Sequence, residues 1–118
     1  MILRDTKLNE GITDSRIRTH PGEVLLEEFL KPLGLSAHGL SLAIGVPPTR
    51  IADIVHQRRG ISADTAARLA RYFGTTAEFW CNLQSSHELS VVAANKQQDL
   101  AHIIPHEQRK ATAAVAGS

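Results

Sequence analysis

The residue that most constrains this chain is Gly45, which separates two short segments of helical periodicity and is followed directly by Val46, Pro47 and Pro48. Upstream, Ser36 suits a helix N-cap, and Leu40, Ala43 and Ile44 form an apolar stripe, so a helix of about nine residues ends at the glycine. Downstream, proline is tolerated in the first turn of a helix but not in its interior. Pro47 and Pro48 therefore mark a restart, and Ile51, Ile54 and Val55 give the next helix its inward face. Two brief helices joined by a tight glycine turn leave Thr49, Arg50, Ala52, Asp53 and His56 on faces open to solvent or to a ligand.

The same reasoning places a helix on either side of this pair. Pro21 is suited to a first helical position, Glu23 to the positive end of the helix, and Val24, Leu25, Phe29 and Leu30 to its buried face, with a stop expected near Pro32 and Gly34. After a basic loop from Gln57 to Ile61, Ser62 and Asp64 open a fourth helix whose apolar face is Ala66, Leu69, Ala70 and Phe73, ended by Gly74. Thr76 and Glu78 open a fifth, with Phe79, Trp80, Leu83 and Leu89 extending towards Val92. A further helical turn is expected over 99–104. No strand pattern competes with this all-α reading.

The chain has 118 residues, 42% of them apolar, which suits one domain. The expected organisation is a flexible N-terminal arm over 1–19, a helical domain over 20–104 and a disordered tail over 105–118. A chain this short buries a modest core, so a second copy is expected to supply part of its stability. One cysteine, Cys81, excludes an internal disulfide and fits a reducing cytoplasm. The residues from Met1 to Lys7 carry Arg4, Asp5 and Lys7 and lack the apolar run of a secretory signal, and no run approaches bilayer length.

The net charge of +1 is uninformative as a sum. Its distribution is more telling: Glu23, Glu27, Glu28 and Lys31 leave 21–35 acidic, while Arg50, Arg58, Arg59, Arg68 and Arg71 against Asp53 and Asp64 leave 45–72 basic. A short helix, a glycine turn and a second short helix in a basic region form the unit that lays a recognition helix in the DNA major groove. The side chains at the start of that helix then reach base edges. Arg50 offers two donors to guanine, Thr49 a hydroxyl or a methyl, and Asp53 either accepts from cytosine or orients Arg50. Arg58 and Arg59, just past the helix, are placed either for phosphate or simply for solvent. An ordinary two-helix hairpin is the competing interpretation.

From His20 to Leu89 the sequence resembles the HigA-type antitoxins of the xenobiotic-response-element-like helix-turn-helix family. The matching segments are HPGEVLLEEFLKPLGLS from His20, VPPTRIADIV from Val46, RRGISADTAARLARYFGT from Arg58 and EFWCNLQ from Glu78, about 70 of the 118 residues. The resemblance implies a five-helix, lambda-repressor-like domain that dimerises and represses from a palindromic operator in its own promoter. It also implies neutralisation of a HigB-like, mRNA-cleaving toxin. By position it assigns DNA contact to Pro48, Thr49, Arg50, Ala52 and Asp53, phosphate contact to Arg58 and Arg59, and the family's FW-NLQ motif to Phe79, Trp80, Asn82, Leu83 and Gln84. Three residues depart from the pattern: Ala37 where glutamine is frequent, Gln57 where glycine is usual, and His87 where tyrosine is common.

Phe79, Trp80, Leu83 and Leu89 are either core or dimer interface, and 89–104 is a further candidate for subunit contact. An enzyme is not expected, because the six histidines show no HExxH spacing and the chain has neither paired cysteines nor a phosphate-cradling glycine loop. No cofactor or metal is expected. Two other functions keep the fold: a stand-alone transcriptional regulator without a toxin, and an interaction module with a degenerate DNA face.

Overall fold

The computed structural model describes residues 16–108, and among these every regular element is a helix. The first, α1 (21–33), starts on an imidazole: Nδ1 of His20 accepts the Gly22 N–H at 2.8 Å, with Pro21 in the first turn. Its middle, Leu25–Leu30, is a π-helical segment in which the Lys31 N–H reaches back to the Leu26 carbonyl. The helix stops at Gly34 (φ 63°), as expected, and this wider turn explains how it carries Pro32 in its last turn. Proline cannot donate to the carbonyl four residues back and crowds it in a tight α-turn, and the π spacing just before it relieves that conflict.

Helix α2 (Ala37–Ile44) is capped by Ser36, whose hydroxyl accepts the Gly39 N–H at 2.9 Å, and ends at Gly45 (φ 72°). Its buried face is rotated from the expected one. Leu40, Ser41 and Ile44 are inside and Ala43 is exposed, because the Ser41 hydroxyl donates to the His38 carbonyl at 2.6 Å and so enters the core with its polar group satisfied. Helix α3 (Pro48–Val55) follows Pro47 at the N-cap. Helices α4 (Ala63–Phe73) and α5 (Ala77–Asn95) have Ser62 and Thr76 as side-chain caps, and Gly74 (φ 74°) separates them. A short α6 (Gln97–Ala101) occupies the expected additional turn but ends before Ile103 and Ile104, which are exposed.

Leu25, Leu30, Leu40, Ile51, Ile54, Leu69 and Trp80 form a closed centre drawn from α1 to α5. Phe29 packs on Phe73 and Trp80 at ring distances of 4.8 and 5.0 Å, and the Trp80 Nε1–H donates to Thr75 Oγ1 at 2.8 Å. A buried indole that donates its only hydrogen is a satisfied core residue. Trp80 is 0% exposed, so it leaves the set of interface candidates, and the expectation that placed it there is corrected.

The expected arm lies outside the described residues up to residue 15. Its last part, 16–19, is exposed and joins α5: the Arg18 N–H donates to Ser90 Oγ at 2.7 Å, and His87 Nδ1 lies 2.7 Å from the Arg18 carbonyl. Of the expected tail, 109–118 lies outside the described residues. No described helix is long and apolar enough to cross a membrane.

Candidate nucleic-acid interface

Gly45 in the left-handed conformation, with Val46 buried behind it, turns the chain so that α3 packs through Ile51 and Ile54, both fully buried. The opposite side of α3 faces out. Pro48 and Thr49 are exposed and Ala52 and Asp53 partly so, which is where base-reading side chains of such a unit belong.

Arg50 is more constrained than its neighbours. Its side chain is 29% exposed, its Nη1 lies 3.5 Å from Asp64 Oδ2 at the start of α4, and its Nε is closed to solvent without a partner among the described residues. The carboxylate facing Arg50 is therefore Asp64. Asp53 instead takes Nε and Nη2 of Arg58, at 3.2 and 3.0 Å, on a single oxygen. Of the two roles expected for Asp53, orienting Arg50 is not the one the structure gives it.

The end of α3 explains that pairing. The Gln57 N–H donates to the Ile54 carbonyl at 2.9 Å and the Arg58 N–H to the Asp53 carbonyl at 2.8 Å, with Gln57 at φ 62°. This is the Schellman arrangement, in which the residue after the helix adopts a left-handed conformation that glycine normally supplies. The chain doubles back at Gln57 and brings the Arg58 guanidinium over the Asp53 carboxylate.

The basic loop is held from the far side of the fold. Gln84 Oε1 accepts the Ile61 N–H at 2.7 Å, and a Cβ on Gly60 would stand 2.5–2.7 Å from the Gln84 amide. Gln84 Nε2 in turn donates to Glu88 at 2.8 Å. Glycine at position 60 leaves room for this approach, and a Cβ there would make the end of the Gln84 side chain shift. Arg59 is exposed on the loop and shares an open cleft of about 460 Å³ with Arg50, Gly60, Ser62, Asp64 and Thr65.

Two residues of this region were not singled out from the sequence. Arg68 donates through Nη1 to the Ile44 carbonyl at 2.8 Å, lies 3.5 Å from the Gly45 carbonyl, and pairs through Nε with Asp64 at 3.0 Å. The four-residue spacing of Asp64 and Arg68 signalled their pairing, but nothing in it signalled the carbonyls of α2. Gln84 was visible only as one letter of a motif.

The remaining candidates lie on α5. Phe79 is on its first turn, in contact with Phe29 and Trp80, Leu83 is half-buried against the core, and Leu89 is 69% exposed.

The pattern of the helix-turn-helix family matches residues 26–80 of this chain. Virulence-associated protein I of Dichelobacter nodosus is 55% identical over 78 residues, which span 66% of this chain and 72% of that protein. The solved structure of the Pseudomonas aeruginosa antitoxin HigA with the higBA promoter superposes with a TM-score of 0.69 at 47% identity, covering 75% of this chain and 97% of that one. An addiction module antidote protein of the HigA family from Coxiella burnetii superposes with a TM-score of 0.72 at 36% identity, covering 77% of this chain and all of that one (100%).

Proposed function

We propose, since this chain belongs to the helix-turn-helix family and within it stands among the HigA-type antitoxins and regulators, that it is a sequence-specific DNA-binding repressor of its own promoter. The observation that carries this reading is the presentation of α3. Ile51 and Ile54 fasten it to the core, while Pro48 and Thr49 project from its first turn and Arg58 and Arg59 flank its end.

In that geometry α2 crosses the phosphate backbone and α3 enters the major groove. Thr49 and Arg50 meet base edges, Ala52 and Asp53 line the same face, and the Arg58–Arg59 loop meets phosphate and sets register without reading sequence. Two copies place two such helices roughly 34 Å apart on a palindromic operator, one turn of the duplex. As an antitoxin the protein also binds and silences a HigB-like, mRNA-cleaving toxin in the cytoplasm. The family is a DNA-binding one and not a class of enzymes.

Footprinting on the upstream DNA, with and without the neighbouring gene product, tests the reading. A protected palindrome is expected, and Arg50→Ala is expected to cost about 1–3 kcal/mol with relaxed preference at one base position. Arg59→Ala should weaken all sequences alike and flatten the salt dependence by about one ion. If both variants bind the operator as the parent does, this reading face is wrong. A second reading, a regulator without a toxin, is supported by the similarity to HTH-type transcriptional regulators of Haemophilus influenzae and Escherichia coli. A toxin-like reading frame beside the gene decides for the antitoxin.

A further inference from the structure

One polar bridge joins the glycine turn, the recognition helix and the start of α4. At one end the Arg68 guanidinium is fixed on main-chain oxygens left open where α2 stops, Ile44 at 2.8 Å and Gly45 at 3.5 Å. Its Nε then holds Asp64 Oδ2 at 3.0 Å, and the same oxygen faces Arg50 Nη1 at 3.5 Å. A carboxylate oxygen anchored by one guanidinium has fixed lone-pair directions to offer a second. Among the described residues, Arg50 has its Nε closed to solvent and unpartnered, and Asp64 is the acceptor that its guanidinium meets.

We propose that Asp64 is a positioning residue for operator readout: anchored to the turn by Arg68, it holds the Arg50 guanidinium in the direction from which it meets a guanine edge. This rests on the reading above in which Arg50 contacts a base. Asp64 is exposed and its two arginines are partly so, so the pairs contribute little to stability, and their effect lies in orientation. Asp64 is also a negative charge in the cleft shared with Arg59, on a face that approaches phosphate, and so it weakens binding to every sequence. Specificity is a difference between affinities, and a charge that costs general attraction while fixing the base-reading arginine increases that difference. The alternative role is local only, an acidic residue in the first turn of α4 that pairs with Arg68 one turn on.

The experiment uses the full chain, the duplex it selects from a randomised pool, and all single-base-pair variants of that duplex at fixed salt, with thermal unfolding as the fold control. Asp64→Asn keeps shape and removes charge. Its binding to random duplex is expected to tighten two- to threefold, while discrimination at the position read by Arg50 falls about tenfold and discrimination elsewhere is kept. Arg50→Ala should lose discrimination at that same position, and the double variant R50A/D64N should lose no more than R50A alone. Arg68→Gln should show part of the D64N effect at the same position. If R50A loses that discrimination and D64N keeps it, Asp64 has only the local role and the proposal is overturned. If R50A loses none, the assignment of Arg50 as a base reader fails, and the proposal fails with it.

Discussion

Gln84 Oε1 accepts the Ile61 amide proton at 2.7 Å across 23 residues of sequence, and through this bond α5 holds the loop that carries Arg58 and Arg59. Removing the amide leaves a part-buried N–H without a partner, which costs about 1–2 kcal/mol. Gln84→Ala should therefore lower the denaturation midpoint and weaken binding to operator and random DNA alike, since the loop positions rather than reads. Chemical unfolding combined with anisotropy on both duplexes checks it, and loss confined to one base position would contradict it.

Gln57 carries a left-handed backbone conformation, φ 62°, that closes α3. A side chain there costs about 1 kcal/mol relative to glycine, because Cβ crowds the following carbonyl. Gln57→Gly should raise stability by about 0.5–1 kcal/mol, offset in part by the entropy glycine adds to the unfolded chain. Urea unfolding of parent and variant decides the sign, and Gln57→Ala, which keeps Cβ, should show no gain.

His20 caps α1 through a lone pair on Nδ1 and stands edge-on to His87 at 4.8 Å. Burial, and then the neighbouring His87, hold its pKa below the ordinary 6.5. The unfolded chain therefore takes up a proton at a pH where the folded chain still refuses it. Stability is full above about pH 6.5 and falls as pH drops below that value towards the lower folded pKa, with a slope under about 1.4 kcal/mol per pH unit. Thermal melts from pH 8 to 5 should show this loss. His20→Asn keeps an acceptor for the cap and cannot titrate, so its profile should be flatter.

Leu89 is 69% exposed and Val92, one helical turn further along α5, is 40% exposed. Two apolar residues on one face are a candidate contact for the second copy that a palindromic operator requires. Leu89→Asp puts a charge into that contact and is expected to weaken self-association at least tenfold with the melting temperature of the monomer unchanged. Sedimentation at several concentrations reads the first effect, and an unchanged dimer would move the interface elsewhere.

Much of the fold was legible in the sequence because its signals act over one helical turn. Ser36, Ser62 and Thr76 bond to amides three residues ahead, and Gly34, Gly45 and Gly74 close helices with their own backbone conformations. The placement of Thr49 on the outside follows from Ile51 and Ile54 alone, since a helix that buries one stripe exposes the other. Two residues were less legible. Ala43 was expected inward from spacing, yet Ser41 takes the place by satisfying its hydroxyl on its own helix. Trp80 had two readings on spacing, and Thr75 and Phe29 settle it as core.

The sequence by itself determined the number and order of the helices, the glycine turn at its centre and the residues of the outward face, because capping, proline geometry and apolar period are local properties. Tertiary structure decided which acid faces Arg50 and which faces Arg58. Asp53 takes Arg58 because Gln57 folds the chain back, and Asp64 faces Arg50 because the fold sets the start of α4 beside that side chain. Likewise, Gly22 is glycine because the Ile54 carbonyl occupies the place of a Cβ, a contact between residues 32 positions apart. Long-range pairings depend on the directions in which packed helices cross, and those directions are a property of the whole core.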